Sequence, residues 1–235
     1  SQNYINHFCV FRRDVIEAVG GWRPGYEGSQ DHDILLRSTE ICEPGYILHI
    51  PKVLYHWRAV EGSTASKIDS KGYAVDAGLR AVQDHIKRIG MNATAELVNG
   101  LPFYRIEPDL SDPLPLVSVI IPTRDQIELL SNCIDGVLGN TDYPRIELIV
   151  VDNDSSQKAT QDYLKALSSD IRVKILFDGS EFNYSALNNK AVRHASGDII
   201  VLLNNDIEVI ERNWLHEMVA WAMQPGVGCV GAKLL

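Results

Sequence analysis

Five consecutive apolar residues, Ile199 to Leu203, run directly into Asn204-Asn205-Asp206. Such a run reads as a strand buried on both faces. Ligands of open α/β sheets bind just beyond the carboxyl ends of the strands. A carboxylate flanked by amides at that place can hold a divalent cation against a diphosphate; a plain polar turn is the structural alternative. Two further apolar runs end in the same way. Ile121 leads into Pro122-Thr123-Arg124-Asp125, where Pro122 is expected to stop the ladder and Thr123 to cap the next helix. Arg124 then sits where a phosphate would meet a helix N-terminus. Val151 leads into Asp152-Asn153-Asp154-Ser155, whose first carboxylate can accept hydrogen bonds from a base or ribose. Each segment is also ordinary loop composition, but three polar strand ends on one parallel sheet would face one crevice.

The elements that must carry these tips follow from periodicity. Strands are expected at 116–121, 147–151, 172–177 and 199–203, and helices at 126–138, 156–167, 184–194 and 213–223. That alternation predicts an α/β fold with a mostly parallel sheet flanked by helices. Residues 107–116 carry three prolines and three acids and read as extended linker. The first hundred residues read as a smaller α+β segment. Short strands are expected at 8–11, 46–50 and 53–57, and helices at 13–19 (stopped by Gly20-Gly21), 30–38 and 73–90. The expected organisation is therefore 1–100, a linker at 101–115, and 116–235.

The chain has 235 residues, 45% of them hydrophobic and 23% charged, with a formal net charge of -9. With no basic tract to offset that charge, a nucleic-acid partner is not expected. No apolar run approaches the roughly 18 residues of a membrane span. Ser1-Gln2-Asn3-Tyr4 has neither the basic start nor the apolar core of a signal peptide. Cys9, Cys42, Cys133 and Cys229 form no Cys-x-x-Cys pair; reduced, mostly buried thiols in a cytoplasmic protein are expected. The lack of an initiating Met and the abrupt end at Lys233-Leu234-Leu235 lead us to expect a piece of a longer protein.

Taken in order, Val117-Ser-Val-Ile-Ile-Pro-Thr-Arg124, Val150-Val-Asp-Asn153, Asn189-Lys-Ala191 with Ala195-Ser-Gly-Asp198, and Leu203-Asn-Asn-Asp206 resemble the nucleotide-sugar half of inverting glycosyltransferases of family 2. The resemblance covers residues 116 to 235 and implies a GT-A, Rossmann-like fold. It implies that Pro122, Thr123 and Arg124 line the nucleotide pocket and that Asp152 meets the base. Asn204-Asn205-Asp206 falls at the Asp-x-Asp position, which implies Asp206 as ligand of Mg2+ or Mn2+, with Asn204 beside it. Asparagine at 204 replaces the usual aspartate, so the protein side is expected to hold the ion more weakly. Asn189 and Lys190 fall in the substrate-binding helix. Asn188 stands where an arginine often precedes the helix asparagine, so one phosphate contact is expected to be absent or supplied by Lys190.

Earlier in the chain, Gln30-Asp31-His32-Asp33-Ile34-Leu35 resembles the Glu-Asp-x-Asp-Leu segment of the same enzymes. The match implies Asp31 as the base that deprotonates an acceptor hydroxyl, supported by Asp33 and Arg37. Acids at a helix start have a simpler role in capping and in the helix dipole. Tyr55-His56-Trp57-Arg58 resembles the late histidine segment, which implies His56 at the metal or diphosphate and Arg58 neutralising phosphate charge.

The order is inverted: the acceptor-like half precedes the donor-like half. Two tandem domains, the tail of one followed by the head of the next, explain this most simply; a circular permutation is the alternative. The chain looks like bacterial rhamnan or O-antigen polysaccharide enzymes. The expected donor is a UDP- or dTDP-sugar and the expected acceptor a glycan or lipid-linked glycan, in the cytoplasm or at the inner face of the plasma membrane through the parent protein. A dehydrogenase is disfavoured because Pro122-Thr123-Arg124-Asp125 is no Gly-x-Gly-x-x-Gly loop. A nucleotidyltransferase and a catalytically inert scaffold stay open.

Overall fold

The computed structural model describes residues 3, 5, 8–56, 72–98, 101 and 103–232. The chain divides into two compact units, Ser1–Asp109 and Leu110–Leu235.

The second unit is an α/β domain. Its strands are β3 (Val117–Thr123), β4 (Ile146–Asp152), β5 (Val173–Phe177) and β6 (Ile199–Leu202), and its helices α4 (Ile127–Gly139), α5 (Lys158–Leu167), α6 (Tyr184–Val192) and α7 (Trp214–Ala222). The four strands pair in parallel in the order β5-β4-β3-β6. Side chains alternate across the sheet. Val117, Val119, Ile121, Leu148 and Val150 face one core with Leu130, Ile134 and Val137 of α4, Leu164 of α5, and Leu215 and Val219 of α7. Ile120, Ile149 and Val151 face the other with Leu187 and Ala191 of α6. The buried stripe of α4 recurs every three or four residues, which is why that segment is a helix and why it packs on the sheet.

The first unit holds α1 (Arg13–Ala18), α2 (Gln30–Ile41), a 3-10 turn at Pro44–Tyr46, α3 (Gly72–Arg88), β1 (Ala93–Leu97) and β2 (Tyr104–Pro108). The two strands form an antiparallel pair. Val82 and Ile86 of α3 bury against Ala95 and Tyr104. Gly20 and Gly21 follow α1 with φ of 77° and 71°, a left-handed exit that glycine adopts without strain.

Several expectations change. No strand forms at 8–11 or over the described part of 46–57, and no other strand among the described residues supplies a ladder there. The stretch expected as linker contains β2, whose last residue, Pro108, pairs with Ala93 at the end of the two-stranded ladder. The run at 199–203 is not buried on both faces. On the face shared with Ile120, α6 packs chiefly on β3 and β4, and Ile200 is 37% and Leu202 53% exposed. Of the cysteines only Cys133 is buried; Cys9 and Cys42 are half-buried and Cys229 is exposed. No helix among the described residues is long and apolar enough to cross a membrane.

Glu147 fastens the amino ends of the strands. It accepts hydrogen bonds from Ser118 Oγ, Lys174 Nζ (2.7 Å), Ser196 N–H and Gly197 N–H (3.2 Å). Burial works to raise its pKa, but the hydrogen bonds from Lys174, Ser118 and Ser196 outweigh it and bring it from 4.5 down to about 2. A depressed carboxylate adds its full stability above its unfolded value of 4.5 and loses it as pH falls toward 2. Glu147→Gln is expected to lower the unfolding free energy by about 2 kcal/mol at neutral pH. The gap from wild type should narrow as urea melts are repeated from pH 4.5 down toward 2.

Candidate functional site

β3 leads to β4 and then β5 on one side, and β6 is added on the other side of β3. The strand order therefore reverses between β3 and β6, the place where open α/β sheets open a crevice beyond their carboxyl ends. A cavity of about 310 Å³ lies there, lined by Pro122, Thr123, Arg124, Gln126, Phe182, Tyr184, Leu187, Asn204 and Asn205. A larger hollow of about 400 Å³, lined by Val137, Tyr143, Ile146 and Arg172 among others, sits near the start of β4, at the sheet's other end. It gathers none of the polar strand tips.

Pro122 does not stop the ladder with β4. It lies within β3 opposite Val151. Leu203 N–H donates to Ile120 O, so residues of Ile120's parity turn their backbone groups toward β6. The register with β6 ends at Ile120–Leu202, so Pro122, whose nitrogen faces β6 and has no N–H to give, closes the ladder on that side while pairing with β4 runs past it. Thr123 does not cap α4 either. The N-cap is Gln126, in the left-handed region at φ 56° and without a side-chain cap bond. Thr123 Oγ1 accepts instead from Asn205 Nδ2 at 3.0 Å, which joins the tips of β3 and β6 across the crevice. The Arg124 side chain is exposed on the cavity wall, with no hydrogen-bond or ion-pair partner among the described residues.

Asp152 is buried at the end of β4, and its Oδ1 accepts Ser155 N–H at 3.0 Å. Asp125, missed in the sequence, ties the loops after β3 and β4: its N–H donates to Ser155 Oγ and its Oδ1 accepts from Gln157 N–H, both at 2.8 Å. Asp125, Gln126 and Asp154 all have positive φ, and all sit in these two loops. Such backbone strain clusters at ligand sites. Asn153 Nδ2 donates to Asp178 O (3.0 Å) and Ser180 O (2.9 Å), which anchors the loop after β5.

Asn189 is exposed on α6 and away from the cavity lining. Lys190 is committed elsewhere, donating to Phe177 O (2.6 Å) and Asp178 (3.0 Å). Asp206 is exposed in the turn after β6 and has no hydrogen-bond or ion-pair partner among the described residues. Beneath it, burial pushes the Cys133 thiol up to about 11, so it stays protonated and donates to Asn204 O at 3.4 Å. No group of three or more His, Cys, Asp or Glu side chains placed to hold a metal occurs among the described residues. Phe182 and Tyr184 carried no motif; only the structure sets them on the cavity wall.

In the first unit, Asp31 is half-buried in the first turn of α2, where its Oδ1 accepts the His32 backbone N–H at 2.8 Å. Asp33, two residues further along α2, is fully buried. Both Arg23 and Arg37 donate to it, and Arg37 also reaches Val19 O (2.6 Å) and Gly21 O (2.8 Å), locking the turn after α1. Burial works to raise the Asp33 pKa, but the two guanidinium groups outweigh it and hold it below the ordinary aspartate value. Arg23 was not singled out in the sequence, because its partner lies ten positions on, past a turn and inside α2. His56 is exposed; Trp57 and Arg58 lie outside the described residues.

The Glycosyl transferase family 2 model matches residues 118–234. Over 99% of its length the chain is 47% identical to an uncharacterised protein of Sinorhizobium fredii, and over 100% it is 39% identical to the O-antigen biosynthesis protein RfbC of Myxococcus xanthus. It spans only 26% and 18% of those two proteins. A solved structure of a Pyrobaculum calidifontis mannosyltransferase in complex with GDP-Man and Mn2+ covers 47% of this chain and 33% of its own, at 26% identity and a TM-score of 0.44.

Replacing Asp33 by Asn leaves two guanidinium groups without their buried carboxylate, and is expected to destabilise the first unit by about 3 kcal/mol. Thermal unfolding followed by circular dichroism measures this. With its cavity at the strand-order reversal and the matching sequence, the segment 118–234 is a Glycosyl transferase family 2 domain.

Proposed function

We propose that this chain is part of a glycosyltransferase that moves a sugar from a nucleotide-sugar donor onto a growing surface polysaccharide. The observation that carries the reading is the cavity between the tips of β3 and β6, in a domain of this family, walled by Pro122, Thr123, Arg124 and Asn204. Its walls suit a nucleoside diphosphate. The unpaired Arg124 guanidinium matches phosphate oxygens. Phe182 and Tyr184 offer faces for a base; Asp152, outside that lining but paired with Thr123 at the neighbouring tip of β4, keeps a second carboxylate oxygen with no partner among the described residues for a ribose or base donor. The relative named for O-antigen biosynthesis supports a glycan or lipid-linked glycan as acceptor.

The residues fit a divalent cation of the magnesium type. Such ions keep several waters and take only one or two carboxylates, the rest of their shell coming from substrate phosphates. The exposed Asp206 carboxylate, with Asn204 beside it, is a donor set of that kind. Mg2+ or Mn2+ bound there would offset charge on the departing diphosphate. Lys190, bound to Asp178, is not offered as a phosphate ligand in this state, nor is Asn189.

For the first unit we propose the acceptor side of a preceding domain. Asp31 is its base for direct, inverting displacement, with His56 and Arg58 on its donor phosphates. The tandem arrangement draws on the inverted order of the halves and on relatives several times longer than this chain. On that reading neither reaction centre is complete within these 235 residues, and the parent protein works in the cytoplasm.

Calorimetric titration of the chain with UDP and dTDP, with and without Mn2+, tests the donor site. Binding is expected to need Mn2+ and to weaken at least about tenfold, about 1.4 kcal/mol, in Asp206→Ala. Absence of binding by the wild-type chain under all conditions would point to a scaffold instead.

A further inference from the structure

The segment that carries Asp206 is a strap lying along one face of α4. Cys133, Gly136 and Asn140 recur at helical spacing on that face. Cys133 Sγ donates to Asn204 O at 3.4 Å and Asn140 Nδ2 to Val209 O at 3.3 Å. Between them, a Cβ on Gly136 would lie 2.9 Å from Val209 Cγ2 and 3.1 Å from Val209 Cβ. The strap continues into further ties: Asp142 N–H donates to Arg212 O (2.8 Å), and Trp214 Nε1 to Thr141 Oγ1 (2.9 Å). Leu203 and Ile207 pack on the core, while Asn204, Asp206, Glu208 and Ile210 are exposed. The half-buried and exposed residues alternate along the strap, and Asp206 falls on the exposed side.

We propose that α4 sets the register of this strap, with Gly136 and Cys133 as positioning residues that keep the Asp206 carboxylate turned outward for its cation. The proposal rests on the donor-site reading above. Gly136 matters because it admits Val209 against the helix; the cysteine matters because it holds Asn204 one turn of helix away.

Two measurements on the 235-residue chain test it: hydrogen exchange of the metal-free protein over 204–209, and the Mn2+ concentration giving half-maximal UDP binding. Gly136→Ala is expected to speed strap exchange and to raise the half-saturating Mn2+ about tenfold. Adding Val209→Ala, which removes the methyl nearest the new Cβ, should recover part of both losses. Val219→Ala, a core truncation in α7, should lower the melting temperature without changing the Mn2+ requirement. Unchanged exchange and Mn2+ dependence in a folded Gly136→Ala chain overturns the proposal alone. A wild-type chain that binds UDP without regard to Mn2+ removes the donor-site reading and this proposal together. A Mn2+ requirement that tracks melting temperature across all variants, Val219→Ala included, reduces the strap contact to ordinary packing and also overturns it.

Discussion

The second unit depends on one constraint, the parallel pairing of β3 with β4 on one side and β6 on the other. Parallel strands bring all their carboxyl ends to the same edge. The reversal of order at β3 then parts the following loops, because the chain leaves β3 toward β4 and returns to its far side as β6. The crevice follows from topology. Its wall residues are whichever ones the chain places at 122–124, 126, 182, 184, 187 and 204–205. Glu147 guards that pairing at the opposite edge, where one carboxylate binds groups from β3, β5 and the loop before β6.

Where the strands end, side chains replace the ladder. Asn205 bonds Thr123 across the gap between β6 and β3, and Asp125 bonds the turn after β4. These ties are made by polar groups that would otherwise read as ligand contacts. Arg124 and Asp206 are among the groups there that keep no side-chain partner among the described residues. Lys190 shows the opposite case: its charge is right for a phosphate, but Asp178 and a backbone carbonyl have taken it.

The first unit follows a different logic. A fully buried carboxylate, Asp33, is made tolerable by two guanidinium groups, and one of them reaches on to the carbonyls of the turn after α1. This clamp sets the start of α2, and with it Asp31, at a defined place beside His32.

Much of the second unit was legible in the residues because its signals are local. Apolar strands of four to seven residues and helices with a stripe every three or four give elements their type and order, and the polar triplets mark the carboxyl edge of the sheet. What lay beyond reach were partners set by three-dimensional register. That Pro122 ends the pairing with β6 but not with β4 depends on which neighbour its nitrogen faces, and that Thr123 bonds Asn205 depends on two segments 82 residues apart. The exposure of Leu202 depends on which strands α6 covers, and the pairing of Tyr104–Pro108 on a strand that no alternation announced. Residue type and spacing along the chain determine an element's kind and the chemistry it can offer. Which of those groups stay unspent is decided only when tertiary packing has given the others their neighbours.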